Sequence, residues 1–199
     1  MSAILRPAVA LFALLTILTG IVYPLVVTGI AAVAFPHQAQ GSLIVRNGTP
    51  VGSHLIGQSF AEPKYFWSRP SATSPQPYNG TGSTGSNLGP LNPALTDAVK
   101  TRIQALQTAD PGNKAAIPVD LVTASASGLD PHISLAAARY QTARVARARN
   151  IDVRAVQALV AEHSQGRLAG LFGEPRVNVL ELNLALDDLH APHPGSATQ

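Results

Sequence analysis

Ser125, Ser127, Asp130 and His132 lie in one short run, Ser125-Ala-Ser-Gly-Leu-Asp-Pro-His132, and their types are those of a nucleophile, an acid and a base. A hydrolytic triad requires such groups to converge in space, which nearness along the chain does not supply. The G-x-S-x-G elbow that presents a nucleophilic serine is missing from the run. The segment reads better as a turn in which Ser127 and Asp130 bond backbone amides, leading into a helix capped by Ser134. A membrane-anchored hydrolase using Ser125 or Ser127 stands as the rival reading.

Gly80, Gly82 and Gly85 form a formal G-x-G-x-x-G. That fingerprint binds a dinucleotide only when a strand feeds the turn and a helix N-terminus follows it directly. Here Pro75 and Pro77 precede it and the next helix cannot begin before Pro93. No phosphate-binding G-x-x-x-x-G-K-[ST] is present, and the six histidines include no H-E-x-x-H and no pair four residues apart, so no metal site is expected. Arg139, Arg144, Arg147 and Arg149 share one short helix and spread around more than one face; they are solvated or salt-bridged, or they meet an acidic partner. Tyr65-Phe-Trp-Ser-Arg69 gathers aromatic side chains beside an arginine, a composition that serves an interface anchor or a core plug equally well.

The elements that must position these groups begin with an apolar stretch, Pro7 to Phe35, and no charged side chain lies between Arg6 and Arg46. As a helix it reaches roughly 43 Å, more than the ~30 Å of a bilayer's hydrocarbon core. A cleaved signal peptide ending at Ala34 is the alternative, and would release a secreted binding domain. Against it, a signal's apolar region runs about 7 to 15 residues. Pro24 removes one backbone hydrogen bond and kinks the span, with the hydroxyls of Thr19 and Thr28 available for repair. Thr16 with Gly20, and Thr28 with Ala32, put small residues four apart, where another helix can approach; an inert anchor is the plainer alternative. Arg6 and the terminal amine favour a cytoplasmic N-terminus and an extracytoplasmic domain.

Of the 14 Lys and Arg, only Arg6 precedes the span, leaving 13 against 11 acidic side chains, a balance that does not point to nucleic acid. There is no cysteine, hence no disulfide framework or thiolate metal site. A hairpin is expected from Ser42–Arg46 to Thr49–Ile56, turned at Asn47-Gly48. A helix should start at Asn92-Pro93 with Leu95, Val99, Ile103 and Leu106 inward. Pro118 to Ala124 has the composition of a buried strand. Helices follow from Ser134, from Asp152 with Val153, Val156, Leu159 and Val160 inward, and from the Asn178–Glu181 capping box through Leu189. The fold class is α+β: a short N-terminal segment 1–6, a transmembrane helix 7–35, one soluble mixed α/β domain 36–189, and a flexible tail 190–199.

Several separate motifs agree with one family. Tyr65-Phe-Trp-Ser-Arg-Pro-Ser-Ala72, Tyr78-Asn79, Gly85-Ser-Asn-Leu-Gly-Pro90 with Asn92-Pro93, Pro118 to His132, and Val177-Asn-Val-Leu-Glu-Leu-Asn-Leu-Ala-Leu186 together resemble the C subunit of the Kdp-type potassium-transporting P-type ATPase, in order and spacing from the span to Leu189. The chain departs at Thr84, where that family usually has Gly, and at Leu135, where Pro is usual.

The resemblance implies a non-catalytic subunit of a bacterial inner-membrane complex for potassium uptake. Its partners would be a channel-like A subunit, an ATP-hydrolysing B subunit and a small F subunit. It implies an assembly factor and a catalytic chaperone that raises the ATP affinity of the B subunit. ATP and Mg are implied only for that partner; the chain is expected to hold no cofactor of its own. With the domain outside, direct ATP contact is impossible and the role becomes bracing at the channel mouth. With the domain inside, Ser125, Ser127, Gly128 and Asp130 are the first residues to consider for nucleotide. Partner contacts are expected at Thr16, Gly20, Pro24, Tyr65, Trp67, Arg69, Asn87, Asn92 and Arg144.

Overall fold

A computed structural model describes residues 2–189, and the tail expected at 190–199 lies outside the described residues. The fold is α+β, an N-terminal apolar helix followed by helices and small antiparallel sheets. The chain divides into two compact units, residues 1–53 and those from 54 onward.

In the first unit α1 (Ser2–Ile17) runs into a π-helical turn at Leu18–Val22 and continues as α2 (Tyr23–Ala34). Residues 2–6, expected as a separate segment, are therefore already helical. Ile4–Ala34 is long and apolar enough to cross a membrane, and none of it is buried within the chain. Proline explains the wide turn: Pro24 has no N–H for the carbonyl four residues back, and the Tyr23 N–H reaches five residues back to Leu18 instead. The Thr19 hydroxyl donates to the Leu15 carbonyl at 2.7 Å, keeping that polar group satisfied inside the helix. A short α3 (Pro36–Ala39) precedes the hairpin of β1 (Leu43–Arg46) and β2 (Thr49–Ser53). Asn47 and Gly48 both take positive φ, 50° and 77°, as the expected two-residue turn demands.

The second unit opens with a long irregular stretch to Asn92, whose side chain accepts the Ala94 N–H and starts α4 (Pro93–Ala109). Leu106 is buried, Val99 and Ile103 pack against the core, and Leu95 is half-buried. The strand expected at Pro118–Ala124 is not formed; Val119–Leu121 is a single 3-10 turn. Its Asp120 carboxylate accepts the Ser134 N–H at 2.7 Å and the Ser134 hydroxyl at 3.2 Å, which hooks the segment to the start of α5 (Leu135–Arg149). Ser134 in turn caps that helix, accepting the Ala137 N–H.

Three short strands, which composition did not reveal, make the sheet: β3 (His132–Ser134), β4 (Ser164–Gln165) and β5 (Arg176–Asn178), in the order β3-β5-β4 and antiparallel. Between β3 and β4 lie α5 and α6 (Val153–Glu162), and α7 (Val179–Asp188) follows β5. Val156, Leu159 and Val160 point inward as expected, whereas Val153, the first residue of α6, is exposed. The core is built from Phe66, Ile133, Val145, Val156, Val177, Leu182 and Leu186, each at most 2% exposed.

Candidate functional site

Tyr65-Phe66-Trp67 crosses the two helices α5 and α7, and no strand pairs with it. Its backbone is satisfied by side-chain amides. Asn183 of α7 accepts the Phe66 N–H at 2.8 Å and returns its Nδ2 to the Phe66 carbonyl at 3.0 Å. Gln141 of α5 does the same for Trp67, at 2.8 and 3.1 Å. Both amides are buried, at 0% and 1% exposure, so each replaces a rung of a β-ladder where water cannot serve. Sequence reasoning missed them; the only available signal was a polar amide set among apolar helix residues.

The same aromatic segment is held by arginines of α5. Arg144 is turned inward: Nη1 donates to the Pro63 and Tyr65 carbonyls, Nη2 to Gln141 Oε1, and the guanidinium lies over the Trp67 ring. Arg149 bonds Asp187 at 2.7 Å and stacks on Tyr65, and Arg147 pairs with the buried Asp110. Three of the four helix arginines are thus committed to ion pairs or carbonyls within the domain, and Arg139 is exposed. Burial holds the Arg144 guanidinium down to about 10, still cationic at neutral pH. Of the cluster that composition left open between core and interface, Phe66 is fully buried in the core, while Tyr65, Trp67 and Arg69 are partly exposed.

The Ser125–Asp130 loop is clasped by the Gly-rich loop. The Ser125 N–H donates to the Pro70 carbonyl, the Thr84 N–H and the Ser83 hydroxyl to the Ser127 carbonyl, and the Ser71 hydroxyl to the Gly128 carbonyl. Ser71 and Thr73 hydroxyls also accept the Tyr78 and Asn79 N–H groups, folding the Gly-rich loop on itself. Gly128, at φ +68°, has no room for more: a Cβ there would sit 2.5 Å from Thr73 Cγ2 and 2.7 Å from the Thr84 carbonyl. A Cβ on Gly85 would come within 2.8 Å of the Ala126 carbonyl. Both glycines are close-approach positions between two backbones.

Each expected nucleotide residue is engaged in this clasp. Ser125 is buried, the Ser127 hydroxyl accepts the Leu129 N–H, and Gly128 gives its N–H back to Ser125. Asp130 accepts Arg69 Nη1 at 2.9 Å and the His132 N–H at 3.0 Å, and His132 Nδ1 stands 3.4 Å from the same carboxylate. Burial pushes the Asp130 carboxyl up, but the His132 bonds and Arg69 outweigh it and bring it down to about 2. The side-chain partner of His132 is Asp130, not a serine. Asp130, with Arg69, Asp120, His132, Glu174 and Arg176, lines a groove of about 480 Å³. Its lining carries charges of both signs.

Thr16, Gly20 and Pro24 are exposed along the apolar helix, and a Cβ on Gly20 would meet nothing within 4 Å. Asn87 is exposed in a left-handed conformation, and Asn92 is engaged as the α4 cap.

Comparison with known proteins adds a family. Residues 5–188 match the family model described as KdpC: K+-transporting ATPase, c chain. A potassium-transporting ATPase KdpC subunit of Variovorax paradoxus (strain S110) is 68% identical over 187 residues, covering 94% of this chain and 97% of its own. Another so named, from Dechloromonas aromatica (strain RCB), is 66% identical over 189 residues, covering 95% and 99%. A third, from Sorangium cellulosum (strain So ce56), is 63% identical over 187 residues, covering 94% and 98%.

Proposed function

The chain belongs to the KdpC family of K+-transporting ATPase c chains, and from that membership we propose that it is a non-catalytic accessory subunit of an ATP-driven potassium-uptake complex in a bacterial inner membrane. Ile4–Ala34 anchors it there, with the N-terminus in the cytoplasm and the domain outside. It joins the channel-like A, ATP-hydrolysing B and small F subunits, braces the channel-like subunit and supports assembly.

In this reading the ATP affinity of the B subunit is raised from a distance. The observation that carries it is the clasp: Ser125, Ser127, Gly128 and Asp130 are bonded into the domain's own frame, which leaves them poorly placed to cradle a nucleotide. The effect on ATP then reaches the B subunit as a coupling free energy carried by packed membrane helices. ATP and Mg belong to the B subunit.

Topology tests this directly in intact spheroplasts expressing the complex. A single cysteine is placed by Ser2→Cys or Gln104→Cys in this cysteine-free chain, and an impermeant maleimide is applied. Labelling at 104 alone is expected. Labelling at 2 alone would put the domain beside the ATPase and overturn the reading, as would an azido-ATP adduct on this chain in the assembled complex.

A further inference from the structure

Arg69 and Arg102 line one cavity of about 350 Å³ in the second unit, and no carboxylate lines it with them. Much of its remaining wall is apolar. Leu106 and Leu121 are buried and shared with the core, and the half-buried rings of Phe60 and Trp67 stand beside them. The two guanidiniums are not in the same state. Arg69 is met at 2.9 Å by Asp130, a carboxylate of the neighbouring groove, and its buried Nε meets no acceptor among the described residues. Arg102, on α4, gives Nη1 to the Val122 carbonyl at 2.8 Å, which fixes the side chain without neutralising it. Burial holds the Arg102 guanidinium below the usual arginine value and no nearby carboxylate opposes the shift, so a cation is kept partly out of water with no counter-charge.

We propose that this cavity binds a small free organic acid, a monocarboxylate on a compact apolar body, with the carboxylate at Arg102 and Arg69 and the body against Leu106, Leu121 and Trp67. The inference stands apart from the accessory-subunit reading. Charge selects the head group. Of the two guanidiniums one is already paired, so a single positive charge is left to be met, and a monoanion meets it; a polyphosphate would bring several charges in excess. Among the described hydrogen bonds Arg102 uses Nη1 alone, which leaves its other donors for the two oxygens of a carboxylate. The walls select the body. A mostly apolar pocket with a few converging polar groups is the ordinary form of a small-molecule site, and this volume falls at the small end of that range. A bare inorganic anion would leave Leu106 and Leu121 uncovered, whereas an uncharged ligand would bury Arg102 further with nothing to offset its charge.

The probe is 3-phenylpropionate, and its uncharged counterpart is 3-phenylpropanol. Trp67, the chain's single tryptophan, stands in the cavity wall and reports occupancy by its fluorescence. In the purified full-length chain the acid should quench saturably, with half-saturation at or below about 5 mM, as an ordinary ligand of about eleven heavy atoms reaches. The alcohol lacks the charge-assisted bonds and should bind at least about tenfold more weakly. Arg102→Gln should erase that preference and Arg102→Lys should keep part of it, with circular dichroism showing both chains folded. No saturable quenching, equal binding of acid and alcohol, or an undiminished preference in Arg102→Gln would overturn the proposal. Should Arg102→Gln fail to fold, the acid-over-alcohol preference of the parent still decides. Equilibrium dialysis of the radiolabelled acid against the assembled complex should give the same affinity as the chain alone. Loss of binding there would assign the cavity to a side chain of another subunit and overturn the free-acid occupant.

Discussion

The Arg144 guanidinium carbon lies 4.7 Å above the centre of the Trp67 ring, and the same guanidinium donates to two carbonyls flanking the aromatic segment. One buried cation thus fixes both the backbone path and the ring of Tyr65-Phe66-Trp67. Lysine cannot reproduce this, because its single ammonium lacks the planar fork that meets Pro63, Tyr65 and Gln141 together. Arg144→Lys should cost about 2–4 kcal/mol, since buried acceptors are left unpaired. Urea unfolding followed by Trp67, the chain's single tryptophan, measures it. A change below about 0.5 kcal/mol would mean that the stack contributes nothing.

Gly128→Ala should be among the most damaging single-methyl additions in the chain. Its left-handed φ strains any Cβ, and the Thr84 carbonyl that the methyl would strike is backbone, which cannot step aside cheaply. A loss of at least about 2 kcal/mol is expected, with faster hydrogen exchange at the Thr84 amide that donates to Ser127. Gly89→Ala, which meets nothing within 4 Å and has no positive φ, serves as the neutral control.

What could be read along the sequence was local. Asn92, Ser134, Asp152 and Asn178 cap their helices because a cap is decided within three residues, and each side chain accepts an amide two or three positions on. Half of the expected capping box is missing: Glu181 does not turn back to Asn178 but bonds His54 at 2.5 Å, a partner 127 positions away. The β composition of Pro118–Ala124 misled for the same reason. A strand exists only where a neighbour pairs with it, and β5 pairs with β3 and β4 instead. Gln141 and Asn183 were invisible because their partners are 74 and 117 positions distant. In the Ser125–Asp130 loop the turn bonds of Ser127 and Asp130 to backbone amides two residues on were legible, whereas the grip of Ser71 on Gly128, 57 positions away, was not.

The anchor offers a cleaner separation of intrinsic from assembled stability. A side chain at Gly20 meets nothing in the chain itself, so Gly20→Leu should leave the isolated chain unaltered. If another helix packs at this π-helical turn, the added bulk should weaken assembly by about 1–2 kcal/mol, near tenfold in retention. Val22→Leu, two residues on and so on a different side of the helix, is the control for bulk alone. Quantitative co-purification from membranes distinguishes them, and equal retention of both variants would show Gly20 to face lipid.

Acid should unlock the clasp through Asp130. The folded carboxyl is depressed to about 2, whereas an unfolded aspartate titrates near 3.9. Between those values the unfolded chain binds the proton and the folded one does not, so stability falls as pH falls; the contribution is fully present above about pH 4 and gone below about pH 2. The full shift corresponds to about 2.5 kcal/mol, and because the side chain is 29% exposed, solvent screening should reduce it to about 1–2 kcal/mol. Asp130→Asn removes the charge that Arg69 and His132 meet, so the variant should be less stable than the parent at pH 7 and should lose this part of the acid dependence. Urea unfolding of both proteins between pH 2 and 7 should therefore give curves that converge at the acid end. A gap that stays constant down to pH 2 would assign the role of Asp130 to shape rather than to charge.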